Sequence, residues 1–312
     1  MDNFYKELKK YGKVRLNESL KKHTTFKIGG PAKYFVEVTD LINLRDLVKF
    51  LQGGGLDYFI LGGGSNLLFS DKGFFGVVIK VINREVKVEN DTIIASAGAI
   101  LGVVVNTATQ NSLSGLEWAL GIPGTIGGAV FGNAGAMGEN ISNNVEKIAV
   151  WLDGEETELT KEECGFGYRH SYLGEMGAVI LKVYLKLQKG DVSEIIKKVN
   201  ANLSVRQEKL PSEPSAGSFF KNIKLADYPG DKSQLPEIYI ERKMVPAAWL
   251  IDQCGLLDFR IGDAGISYKH GNFLVNYGQA TAEDVIAVVD EVSKKVYDSF
   301  GIELEPEVRI IV

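Results

Sequence analysis

Little in this sequence offers a home to a metal or a surface to nucleic acid. Its 312 residues include two cysteines and three histidines. Cys164 and Cys254 lack the spacing of metal ligands, so a zinc site is not expected. Both thiols are expected to be small buried hydrophobes of a cytosolic protein. The 35 Lys and Arg are scattered among 40 Asp and Glu, giving a net charge of −5 with no basic stripe. Nucleic acid is therefore not an expected partner, and any bound phosphate must be met by isolated cations or by backbone N–H groups. Long apolar runs are missing too. From Thr92 to Gly138 the only charge is Glu117, but Gly, Asn, Ser, Thr and Pro123 interrupt the stretch throughout. It reads as buried within the protein, not as a membrane span. The start, "MDNFYKELKK", is charged and mixed, so no signal peptide and a cytoplasmic location are expected, with no membrane partner.

What remains is an ordinary globular composition, 45% hydrophobic and 24% charged. The pattern reads as α+β. Short helices are expected at 4–11 and 41–51, and strands at 32–38, 57–61, 76–81, 84–90 and 92–98. Residues 100–110 read as a helix with Val103, Val104 and Thr107 on one face. Residues 145–152 and 155–159 read as a hairpin around Asp153-Gly154, followed by a strand over 178–187. A helix over 191–210 opens with Asp191 and Glu194, and another opens with Thr281 and Asp284, both in capping-box spacing. Between them lie a helix over 246–256 stopped by Gly255 and a strand at 272–276. At the end, Ile302, Leu304, Val308 and Ile310 alternate with Glu303, Glu305, Glu307 and Arg309.

Two glycine-rich stretches concentrate the chemistry. "ILGGGSNLLFS" puts three glycines and Ser65-Asn66 after a strand, where successive N–H groups can form an anion nest. By itself this is equally a plain turn. No G-x-G-x-x-G lies between a strand and a helix, which disfavours a Rossmann domain. "GIPGTIGGAVFGNAGAMG", Gly121 to Gly138, holds seven glycines and no charge. Glycine at that density is costly unless something must approach the backbone closely.

The pairing of these stretches resembles the flavin-binding domain of the p-cresol methylhydroxylase and vanillyl-alcohol oxidase type. Six motifs in order narrow it: "HTTFKIGGPA", "GLEWALGIPGTIGGAVFGNAG", "GYRHS", "KLPSEPSAGSFFKN", "AAWLIDQCGL" and "LEPEVRII". Over residues 20–312 the chain resembles the UDP-N-acetylenolpyruvoylglucosamine reductase (UDP-N-acetylmuramate dehydrogenase) family. The resemblance implies two FAD-binding subdomains at 1–82 and 83–200, an α/β substrate-binding domain at 201–300, and a terminal strand at 301–312 that returns to the active site. It implies non-covalent FAD, NADPH as co-substrate, a nucleotide-sugar substrate and a monomer.

Residue by residue, the match implies that Arg169 polarises the substrate carboxylate, Ser218 donates a proton and Glu307 assists Arg169. Taken alone, each has a plainer reading: a surface ion pair, a turn-capping serine and a solvated polar face. FAD contacts are expected first at Ile28 and Gly29, then at Gly62, Gly63, Gly64, Ser65, Asn66 and Leu67. Further contacts are expected at Gly121, Ile122, Pro123, Gly124 and Thr125, and at Gly127, Gly128, Ala129, Asn133 and Gly135. Tyr168, Arg206, Lys209, Asn222 and His270 are the expected substrate contacts. Only "GEMG" separates "YRHSYL" from the strand at 178, which resembles the shorter subclass lacking a tyrosine-bearing loop. Oxidation of another sugar or alcohol acid by the same flavin domain, or mere binding of a nucleotide sugar, stays open on the residues alone.

Overall fold

In the computed structural model, which describes residues 3–311, the chain forms two compact units. One comprises residues up to Glu18, Ala32–Gly63 and Phe75–Glu208; the other comprises Ser19–Pro31, Gly64–Phe74 and residues from Lys209 on.

The first unit is built on two larger sheets. Its four-stranded sheet runs in the order Lys13–Ser19, Pro31–Val38, Phe74–Val81, Tyr58–Leu61. The last two strands are parallel, and the helix Leu41–Gly53 lies between the second and fourth in sequence. Asp40 caps that helix by accepting from Asn43 N–H. Its apolar residues Leu44, Leu47, Val48 and Leu51 are buried with Val36, Val77 and Ile79. The five-stranded sheet is an antiparallel array of Glu155–Thr160, Val145–Leu152, Val179–Lys186, Thr92–Ser96 and Val86–Glu89. Its first hairpin turns through Asp153 and Gly154, both at positive φ (51° and 87°), the geometry that an Asp-Gly pair favours.

On this second sheet lies the uncharged stretch. The helix Leu101–Gln110 buries Leu101, Val104, Val105 and Ala108, whereas Val103 is 46% exposed. The Val103, Val104, Thr107 face expected from sequence is thus rotated. Without a charged side the helix has nothing to mark its solvent face, and Thr107 returns its hydroxyl to Val103 C=O. Glu117, the lone charge, is only 9% exposed and accepts from Ser114 Oγ at 2.6 Å and Gly115 N–H at 2.8 Å. Burial alone would raise its carboxyl, but these hydrogen bonds outweigh it and hold the group below the usual carboxylate range.

The second unit is built on an antiparallel sheet ordered Ser215–Ser218, His270–Asn276, Ala264–Ser267, Arg260–Ile261. The helices Ala247–Gln253 and Ala282–Phe300 pack on it through Leu250, Ile251, Val285, Val288 and Val292. Thr281 and Asp284 form the full reciprocal capping box, and Gly301 ends the longer helix in the left-handed region. The terminal segment pairs Arg309–Ile311 in parallel with Leu67–Phe69. Ile302, Leu304 and Val308 are buried as the alternation implies, but Ile310, within the ladder Arg309–Ile311, is 37% exposed. Cys164 is fully buried and its thiol is pushed up to about 11 by burial. Cys254 departs from expectation: it is half-buried, at the end of its helix. Among the described residues no helix is long and apolar enough to cross a membrane, and no group of side chains could hold a metal ion.

Glu117→Gln should destabilise the folded state by about 1 kcal/mol at neutral pH, since the charge strengthens two buried hydrogen bonds. Because the folded carboxyl titrates below its usual range, its contribution is present above that range and lost as pH falls through the folded value. Urea unfolding of both proteins should therefore converge in acid. A gap independent of pH would contradict the assignment.

Candidate active site

In the first unit the two glycine stretches meet backbone to backbone. A Cβ on Gly63 would lie 2.4 Å from Gly124 Cα, and one on Gly62 would lie 2.5 Å from Thr125 Oγ1. Only glycine admits this approach at either position. Thr125 caps the short helix Ile126–Phe131, its Oγ1 accepting from Gly128 N–H. Among the described residues, the N–H groups of Gly63, Gly124 and Thr125 donate to no other group of the chain. Three main-chain donors thus lie beside one glycine contact. Behind the turn, Lys80 Nζ donates to Gly62 C=O.

Other members of the stretch serve the protein itself. A Cβ on Gly127 would come within 2.9 Å of Ala97, and Ala129 belongs to the core. Gly121 packs on Leu203 and Arg206, and Gly128 is open. Ile122 packs partly on the core and Pro123 is exposed. Asn133 is 5% exposed and uses its side chain to bridge, donating to Gly167 C=O at 2.7 Å and accepting from Ser142 N–H at 3.2 Å.

That bridge pins a tight turn carrying Arg169. Gly167 and His170 pair across it, with N–H···O distances of 3.0 and 3.3 Å. Arg169 sits at φ 54°, strained for a residue with a Cβ. Its Nη2 donates to Gly135 C=O at 2.7 Å, and its guanidinium lies 5.3 Å from the centroid of the exposed Tyr168 ring. Arg206, on the helix Val192–Lys209, is half-buried, and burial lowers its pKa from the usual arginine value. Lys209, the last residue of that helix, is exposed.

In the second unit Ser218 ends its strand opposite Phe273. Phe219 C=O accepts from Glu307 N–H at 2.7 Å, so Ser218 and Glu307 flank one main-chain hydrogen bond. Asn66 Nδ2 donates to Glu307 C=O at 3.1 Å, tying the "GGGSN" turn to the same segment. Glu307 is half-buried, whereas Glu305 is exposed and pairs with Lys221. Gly64 lies against the backbone of His23 and Thr24, and Leu67 enters the strand beside Arg309. Ser65 follows Gly64 in the turn.

The remaining expected contacts of this unit have protein partners. Ile28 is 2% exposed within the core, and Gly29 packs on Leu20 and Phe69. Asn222 Oδ1 accepts from Ala247 N–H at the start of a helix. His270 is half-buried against Phe273, accepts from Asn272 N–H, and has its pKa lowered by burial.

The C-terminal domain of UDP-N-acetylenolpyruvoylglucosamine reductase matches residues 208–311, and the FAD binding domain matches residues 32–160. A curated UDP-N-acetylenolpyruvoylglucosamine reductase from Caldanaerobacter subterraneus is 41% identical over 310 residues, 98% of this chain and 96% of its own. The chain belongs to the UDP-N-acetylenolpyruvoylglucosamine reductase family. A Clostridium tetani member is also 41% identical, covering 96% of this chain and 92% of its own. The crystal structure of the reductase from Thermus caldophilus aligns with a TM-score of 0.77 at 34% identity, covering 96% of this chain and 98% of that one.

The residues present fit the family's FAD. Three unengaged N–H donors beside the Gly63–Gly124 contact and no cation within the glycine stretch suit a pyrophosphate held by main chain. Two further contributors take roles that the sequence alone does not show. Asn272, 2% exposed, donates to Phe220 C=O and accepts from Phe220 N–H, both at 2.8 Å, while its own C=O accepts from Phe219 N–H. It holds the chain next to Ser218 in place. The other contributor, Lys80, is hidden in an ordinary strand pattern.

Gly63→Ala should fold with reduced stability and lose FAD affinity by about tenfold or more, since the new Cβ fills the approach to Gly124. Flavin content of the purified variant and fluorescence titration check this; full flavin occupancy at unchanged affinity would contradict it.

Proposed function

We propose that this protein reduces UDP-N-acetylglucosamine enolpyruvate to UDP-N-acetylmuramate, with FAD as cofactor and NADPH as the electron source, in the supply of peptidoglycan precursors. When bound, FAD would supply the β-carbon of the enol ether with the hydride taken from NADPH. That transfer leaves negative charge on the α-carbon and carboxylate, and the chain's own residues must stabilise it and deliver a proton.

Arg169 takes the carboxylate. Its planar guanidinium can hold both oxygens through parallel hydrogen bonds. Anchoring of Nη2 on Gly135 C=O and the pinned turn restrict the side chain before substrate arrives. Ser218 gives its hydroxyl proton to the α-carbon, and Glu307 is assigned, with Arg169, to the handling of the intermediate. The observation that supports the last two assignments is the main-chain hydrogen bond from Glu307 N–H to Phe219 C=O, the residue next to Ser218. The exposure of Glu305, engaged with Lys221, favours Glu307 as the acting carboxylate. Arg206 and Lys209 are assigned to the nucleotide diphosphate. Tyr168 and His270 are assigned to the substrate's remaining groups. The enzyme is read as a monomer of the cytoplasm.

Ser218→Ala should leave bleaching of the flavin by NADPH unchanged and slow turnover of the enolpyruvyl substrate by about 10²- to 10⁴-fold, the range of a lost general acid. Arg169→Lys should also fail in the second half-reaction, because an ammonium cannot replace the fork. Stopped-flow absorbance separates the two steps, and equal loss in both would overturn these roles.

A further inference from the structure

Lys80 leaves the strand Phe74–Val81 and reaches Gly62 C=O, the last carbonyl before the Gly63–Gly124 contact. The carbonyl of Gly62 and the N–H of Gly63 belong to one trans peptide, so they point in opposite directions. An ammonium fixed on the oxygen therefore sets where the Gly63 N–H points and increases its polarity as a donor. That N–H, like those of Gly124 and Thr125, donates to no other group among the described residues.

We propose that Lys80 is a positioning residue for the flavin: it holds the Gly62–Gly63 peptide with its N–H directed at the cofactor's pyrophosphate and supplies a positive charge one peptide behind it. Gly121–Gly138 has no cation of its own, so this lysine is the charge that the sequence of the cradle lacks. The charged groups acting on it are Glu37, on Pro31–Val38, and Arg84, just past its own strand. Glu37 is itself bridged to Arg15 at 2.9 Å and so only partly offsets the burial. Burial pushes the Lys80 ammonium down to about 8, with Glu37 opposing and Arg84 adding to the shift. An anionic ligand beyond the peptide raises it again. Affinity for FAD should therefore be highest below about 8 and fall as pH rises above it.

The test reads cofactor release from the holoenzyme, by recovery of flavin fluorescence on dilution, and is independent of Arg169, Ser218 and Glu307. Lys80→Met should release FAD with a dissociation constant raised about tenfold or more near pH 7. In the wild type the constant should rise between about pH 7 and about pH 9. Lys80→Arg should keep affinity within a few-fold of wild type and lose that pH dependence, because its charge does not titrate there. Unchanged affinity in Lys80→Met would overturn the proposal. So would the same pH profile in Lys80→Arg and wild type, a comparison that stands even if the methionine variant fails to fold.

Discussion

The approach of Gly63 to Gly124 is the constraint on which the cofactor side of this protein depends. Two backbones within van der Waals reach cannot be separated by even one methyl group, and the chain arranges a good deal to bring them there. The strand Tyr58–Leu61 delivers the first glycine, parallel to Phe74–Val81. The second precedes Thr125, whose bridge to Ile100 and cap on Ile126–Phe131 fix the stretch against the five-stranded sheet's core. Glu117 secures the entry to the same stretch by locking the turn at Ser114 and Gly115. The yield is a length of main chain that brings the N–H groups of Gly63, Gly124 and Thr125 together, which suits a dinucleotide's pyrophosphate without a helix-and-glycine fingerprint.

On the second unit the organising device is a side chain imitating a strand. Asn272 pairs with both backbone groups of Phe220 while its own carbonyl takes Phe219 N–H. The same residue, Phe219, then accepts from Glu307. Ser218 and Glu307 are therefore positioned by buried, hydrogen-bonded backbone. Functional residues held by hydrogen-bonded neighbours keep their geometry better than residues on loops held by nothing.

Local signals in the sequence were easily read, and contacts between distant residues were not. Thr281 with Asp284 and Asp153 with Gly154 act within four residues, so their chemistry is visible in a short window. The helix Leu101–Gln110 was misphased because Val103 and Val104 are equally apolar and no charge marks the wet side. Motif resemblance supplied the candidate residues, but it could not distinguish Gly127, a packing glycine against Ala97, from Gly124, which faces Gly63. Nor could it show that Asn133 and Asn222 give their side-chain groups to the protein. Lys80 was invisible for another reason. In "GVVIKV" it reads as the solvent side of a strand, and only the fold brings Gly62 to it, 18 residues away.

Backbone donors, a pinned arginine and a buried strand network together describe a reductase that takes electrons from NADPH and delivers them to an enol ether. The most direct measurement uses the wild-type holoenzyme without oxygen: bleach the flavin absorbance with one equivalent of NADPH, then add UDP-N-acetylglucosamine enolpyruvate. Full recovery of the absorbance with stoichiometric UDP-N-acetylmuramate is the predicted result. A flavin that stays bleached until oxygen is admitted would contradict the account.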